Sequence, residues 1–224
     1  MTLADQILSF YKSLFFKNEV PKGVEIMNPY QNMDTFDLCT KFYHQFYNDT
    51  NPRKFIFGIN PGRLGGGVTG VPFTDPVKLE NHCGIINSLP KKTELSADFI
   101  YQMIEAYGGA KLFYNHFFIS AVCPLGFTKN GINLNYYDDK ELQKAADEFI
   151  IRSLQEQLKF PVNRDVCFCL GEGKNYEYFS KLNAKHDFVK KIIPLPHPRF
   201  IMQYRRKKIP DFINVYIGKL KTES

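Results

Sequence analysis

"GINPGRLGGGVTGVPF", residues 58–73, follows the apolar run "KFIF" and holds six glycines, two prolines and no acidic residue. A buried strand that empties into so permissive a loop is the opening of an α/β unit rather than of a helix or hairpin. Asn60 precedes Pro61 and is therefore barred from the helical region of backbone space. Gly65 to Gly70 satisfies G-x-G-x-x-G, but that motif should open a helix directly after the strand. Here it runs into "VPFTDP", whose two prolines oppose a phosphate-binding turn. A nucleotide-binding oxidoreductase built on these glycines is accordingly a minor alternative.

Outward from this stretch, "KFIFGI" (54–59), "LFYNHFFISAV" (112–122), "DVCFCL" (165–170) and "FVKKIIPL" (188–195) read as short buried strands rich in aromatic and β-branched residues. Helical patterns lie between them: "SADFIYQMIEAYGG", with Ser96 as N-cap and Gly108 as stop, "YDDKELQKAADEFIIRSLQEQLKF", "GKNYEYFSKLN" and "IPDFINVYIGKL". The alternation predicts an α/β fold of three layers, a central four-stranded, mostly parallel sheet with helices on both faces, spanning residues 1–224 as one domain. The loops after the strands, "NPGRLGGGVTGVPF", "CPLGF", "GEGKNY" and "PHPRF", then share the carboxyl edge of the sheet, where open α/β sheets bind ligands. That edge carries Asn60, Phe73, Ser120 and His197. His197 stands between Pro196 and Pro198, which restrict its backbone.

Composition narrows the class further. The chain of 224 residues is 44% hydrophobic and 15% aromatic, as a folded globule requires. No apolar run approaches the ~18 residues of a membrane span, and the N-terminus reads as an amphipathic helix rather than a leader. Five cysteines without a C-x-x-C pair suggest buried thiols in a reducing cytoplasm, with no metal site and no cofactor. The net charge of +6 is concentrated late in the chain, where Arg199, Arg205, Arg206, Lys207 and Lys208 form a stretch that, read alone, is a solvated basic face or a site for polyphosphate. Nothing signals oligomerisation, so a monomer is the default.

With these residues assembled, the chain resembles the single-strand-selective monofunctional family of the uracil-DNA glycosylase superfamily, in a divergent, bacterial-type branch. "GINPGRLGGGVTGVPF" is similar to that family's G-M-N-P-G core followed by T-G-V-P-F, and "PHPRF" stands at its H-P-S-P-R loop. Weaker similarity in "MNPY", "VKLENHCGI", "FYNHFFISAVCPLGF", "GINLNYYDDKEL" and "CFCLGEG" follows in the same order, over roughly residues 25 to 205.

The resemblance implies a monofunctional DNA glycosylase that starts base excision repair on damaged single- or double-stranded DNA. It makes Asn60 the residue that positions water and His197 the donor that stabilises the departing base. Ile59, Gly62, Gly66, Phe73, Ser120 and Ala121 line the base pocket, with Phe73 as stacking platform. Past His197 it implies a wedge into the flipped-out gap, with Arg199, Ile201 and Met202 as candidates, and phosphate contacts from Arg205 and Arg206. No lysine nucleophile is implied, so the abasic site would be left uncut. One departure stands out: relatives carry asparagine two residues before Cys-Pro-Leu, where this chain has Ala121. Loss of such a bidentate contact is worth about 1–3 kcal/mol, so the expected preference is relaxed on uracil or moved toward xanthine or hypoxanthine. Ser120 is a neighbouring hydroxyl and a candidate to compensate. A non-catalytic lesion- or abasic-DNA-binding protein of the same fold is the alternative.

Overall fold

The computed structural model describes residues 1–222. Its elements run α1 (Leu3–Ser13), β1 (Val24–Met27), α2 (Met33–Tyr47), β2 (Arg53–Gly58), α3 (Gly66–Thr69), α4 (Pro76–Asn81), α5 (Leu95–Tyr107) and α6 (Ala110–His116). They continue β3 (Phe117–Ala121), β4 (Gly126–Lys129), β5 (Ile132–Leu134), α7 (Lys140–Gln157), β6 (Val162–Leu170), α8 (Lys174–His186), β7 (Lys191–Leu195), α9 (Pro198–Tyr204) and α10 (Ile209–Thr222).

The main sheet has the order β3-β2-β6-β7, and every neighbouring pair is parallel. In β2, Phe55, Ile56 and Phe57 are all buried, which is why the strand reads as a continuous apolar run instead of alternating. The four strands point the same way, so residues 59–65, 122–125, 171–173 and 196–197 leave at one edge. All five cysteines are free and buried. Among the described residues no helix is long and apolar enough to cross a membrane.

Three local expectations change. Residues 112–116 of the strand expected over 112–122 are helical, part of α6, and only 117–121 join the sheet. Aromatics at 113, 114, 117 and 118 fit a helix face as well as a strand, and Gly109 starts a fresh helix as its N-cap. The N-cap of α5 is Glu94, with Ser96 buried inside the first turn; Gly108 does end it, at φ 125°. A second sheet, β1-β4-β5, is antiparallel. Its β4–β5 hairpin turns on Asn130 and Gly131, both at positive φ (53° and 71°), the Asn-Gly signature of a type I′ turn. This small sheet sits beside the glycine loop: a Cβ at Gly126 would stand 2.6 Å from the Pro61 carbonyl oxygen.

Candidate active site

A cavity of about 520 Å³ opens at the carboxyl edge of the main sheet, lined from β2's loop by Asn60, Gly62 and Phe73, from β3 by Ala121 and from β7's loop by His197. The volume lies within the range of small-molecule sites. Each of the three polar or aromatic groups is held by identifiable forces.

Asn60 is clamped by the second sheet. Its Oδ1 accepts the backbone N–H of Tyr136 at 3.1 Å, and its Nδ2 donates to the Leu134 carbonyl at 3.3 Å. The two contacts settle which end of the amide is which. Oδ1 keeps a lone pair with which to accept from a further donor.

Phe73 has φ 53°, a left-handed conformation that costs a non-glycine residue about 1–2 kcal/mol. The cost is offset by a buried hydroxyl knot. Thr69 Oγ1 donates to the Thr74 carbonyl at 2.6 Å and accepts the Val71 N–H at 3.1 Å, while Thr74 Oγ1 lies 3.0 Å from the Tyr101 hydroxyl. So held, the ring rests on Gly58, where a Cβ would stand 2.7 Å from Phe73 Cε2. The centroids of Phe73 and His197 are 6.2 Å apart.

His197 is the N-cap of α9, its Nδ1 accepting the Arg199 N–H at 3.1 Å. With Nδ1 an acceptor, the neutral ring carries its proton on Nε2. Burial, helped by Arg199, pulls the imidazole down to about 4, so near neutral pH His197 is an uncharged N–H donor.

Residues 44–221 match the family model described as the uracil DNA glycosylase superfamily. The chain belongs to that superfamily. It is similar to the crystal structure of wild-type SMUG2 of Pedobacter heparinus, with 47% identity, a TM-score of 0.96, and coverage of 99% of this chain and 98% of that one. No curated protein matches. Its function is uracil-DNA glycosylase-like, a hydrolase's action on DNA.

Within this uracil-DNA glycosylase superfamily member, other expected site residues fall differently. Ser120 lines the cavity beside Ala121, but its hydroxyl is already engaged, donating to Gln157 Oε1, and both Ser120 and Gln157 are fully buried. Ala121 lines the same cavity with a methyl group alone. Ile201 and Met202 are buried on the inner face of α9 and are not placed to enter a base stack. The helix turns Arg199, Phe200, Gln203 and Tyr204 outward instead, and all four line the cavity. Phe200 and Tyr204 are exposed, their centroids 5.7 Å apart, and the Arg205 guanidinium lies 5.3 Å from the Phe200 ring. Arg206 to Lys208 form an exposed single turn beyond. Ile59 and Gly62 line the cavity, as does Gly66, where a Cβ would stand 3.3 Å from the Val71 carbonyl oxygen.

Sequence reasoning missed Glu94, Asn133, Asn135 and Tyr137, which also line the cavity. The last three belong to "INLNYY", whose polar density directly after an Asn-Gly turn was a usable signal. Glu94 carried none, since it reaches the cavity only through the docking of α5. Among the described residues no group of three or more His, Cys, Asp or Glu side chains is gathered as a metal site would need.

Proposed function

We propose that this protein is a monofunctional DNA glycosylase that hydrolyses the N-glycosidic bond of a deaminated nucleotide swung out of the DNA. The observation that supports it most is an oriented Asn60 amide and a neutral His197 donor lining one cavity with the Phe73 ring. The extruded base stacks on Phe73, a contact worth about 1–3 kcal/mol. Asn60 Oδ1 accepts a hydrogen bond from the attacking water and aims it at C1′. An amide is a poor base, so the C1′–N bond breaks largely before water adds, and negative charge gathers on the departing base. His197 Nε2–H meets that charge; a preorganised donor of this kind contributes about 3–4 kcal/mol.

On this reading Arg199, Arg205 and Arg206 hold phosphates, and the exposed Phe200 and Tyr204 rings take the wedge and stacking roles expected of Ile201 and Met202. Lys174 lines the exposed rim of the cavity, with Nζ 5.9 Å from the Tyr137 ring, and is the lysine that borohydride trapping interrogates. Ala121 leaves the base edge without the amide of relatives, which favours relaxed uracil recognition or removal of xanthine or hypoxanthine. The test is a panel of oligonucleotides, each bearing one lesion, incubated with the protein and cleaved by alkali, alongside borohydride trapping. Alkali-dependent cleavage without trapping supports the reading; binding to abasic DNA without turnover on any lesion would replace it with the non-catalytic alternative.

A further inference from the structure

Glu94 is a half-buried carboxylate of the cavity to which the chemistry above gives no part. Its backbone is fixed: the Glu94 N–H donates to Asp75 Oδ2 at 2.9 Å, and the other oxygen of that fully buried carboxylate caps α4 at Lys78 N, also 2.9 Å. From there the side chain reaches over the glycine loop. A Cβ at Gly62 would stand 2.5 Å from Glu94 Oε1, and one at Gly65 would come closer still to Oε2. Two of the loop glycines are thus the seat of a carboxylate. Among the described residues, neither oxygen of that carboxylate makes a hydrogen bond.

The charges around it are unbalanced. Asp75 faces it from the start of α4 and Asp98 from the first turn of α5; Asp98 is itself paired with Lys78 at 2.5 Å. Arg199, on α9 across the cavity mouth, is the cation that favours the ionised form. His197 beside it is uncharged near neutral pH. Arg63 of the glycine loop is exposed, and Glu172 and Lys174 stand at the exposed rim. Burial first, then Asp75, pushes the Glu94 carboxyl up to about 7. Entry of DNA adds phosphate charge and draws the exposed Arg199 guanidinium toward it, so both changes disfavour a second anion in the cavity.

We propose that Glu94 takes up a proton when DNA enters the cavity, so that DNA binding is proton-coupled and the neutral carboxyl faces the nucleotide with one O–H donor and one carbonyl acceptor. The proposal rests on the reading of this cavity as the DNA site. Linkage gives its sign: where free Glu94 is ionised, binding consumes a proton, and affinity falls with rising pH by up to about tenfold per unit.

The experiment measures affinity for an oligonucleotide carrying a tetrahydrofuran abasic analogue, which is not turned over, from about pH 6 to about pH 9 at fixed ionic strength. Wild type and Glu94→Gln are compared, with calorimetry at the alkaline end in two buffers of different ionisation enthalpy. The wild type should weaken progressively above neutrality and take up as much as one proton; the variant should be nearly flat and take up none. Equal slopes in the two proteins, or no uptake by the wild type, would overturn the proposal and leave the glycosylase reading standing. No binding at any pH would overturn both. If Glu94→Gln does not fold, the two-buffer measurement on the wild type decides alone.

Discussion

Asn60 is held by a residue 76 positions along the chain: Tyr136 gives its backbone N–H to Asn60 Oδ1 and its hydroxyl to Asn175 Oδ1, 2.9 Å away. Asn175, also buried, passes the connection to the end of β6 by donating to the Leu170 carbonyl at 3.2 Å. Replacing Tyr136 by phenylalanine leaves the clamp on Asn60 and strands one buried amide oxygen. We expect a loss of about 1–3 kcal/mol of stability, read as a lower midpoint in urea with unchanged slope, and an excision rate near that of the wild type at permissive temperature.

Removing the clamped amide itself acts on the chemistry. Asn60→Ala and His197→Ala should each lower the single-turnover rate by about 10²–10³-fold while melting within a few degrees of the wild type. Because His197 is pulled down to about 4, it stays neutral as pH falls from 8 through 5. The saturated excision rate should show no limb in that window that His197→Ala removes; protonation, which would begin only near 4, costs Nδ1 its bond to the Arg199 N–H. A rate profile at saturating protein concentration checks this.

Gly58 and Phe73 are a matched pair. A methyl at position 58 would enter the space of the phenylalanine ring, so Gly58→Ala should tilt the platform and weaken binding of lesion DNA by about 10–100-fold, the range set by the loss of base stacking. Phe73→Ala should do the same, and the double variant should be little worse than either single one. Fluorescence anisotropy on an uncleavable lesion analogue measures all three.

Restoring an amide at position 121 tests base recognition. Ala121→Asn should raise kcat/KM on uracil relative to xanthine and hypoxanthine by about 10–100-fold, the equivalent of a bidentate contact of 1–3 kcal/mol. Competition between differently labelled oligonucleotides in one tube gives that ratio directly.

How much of this was legible beforehand depended on how far each property travels along the chain. The parallel sheet, the ligand edge, and the backbone restrictions on Asn60 and His197 are written in local residue order, through apolar runs and neighbouring prolines. The pleat phase that turns Ser120 toward Gln157 depends on register, which a short apolar run does not declare. The burial of Ile201 and Met202 follows from a helix starting at Pro198, and a loop-to-loop resemblance carries no such information. Gly62 and Gly65 make room for Glu94, a residue that arrives from a separate helix and that local residue order does not announce. The Asn130-Gly131 turn was in plain view, yet its strands are only three and four residues long and lack a marked alternation.

That hairpin divides the protein's endurance in two. The Leu134 anchor of the Asn60 amide lies at the end of a three-residue strand outside the main sheet, so on the proposed mechanism its detachment disarms the enzyme while the parallel layer and its helices persist. On gradual warming, excision should therefore cease before the far-ultraviolet circular dichroism declines, and cooling should bring it back.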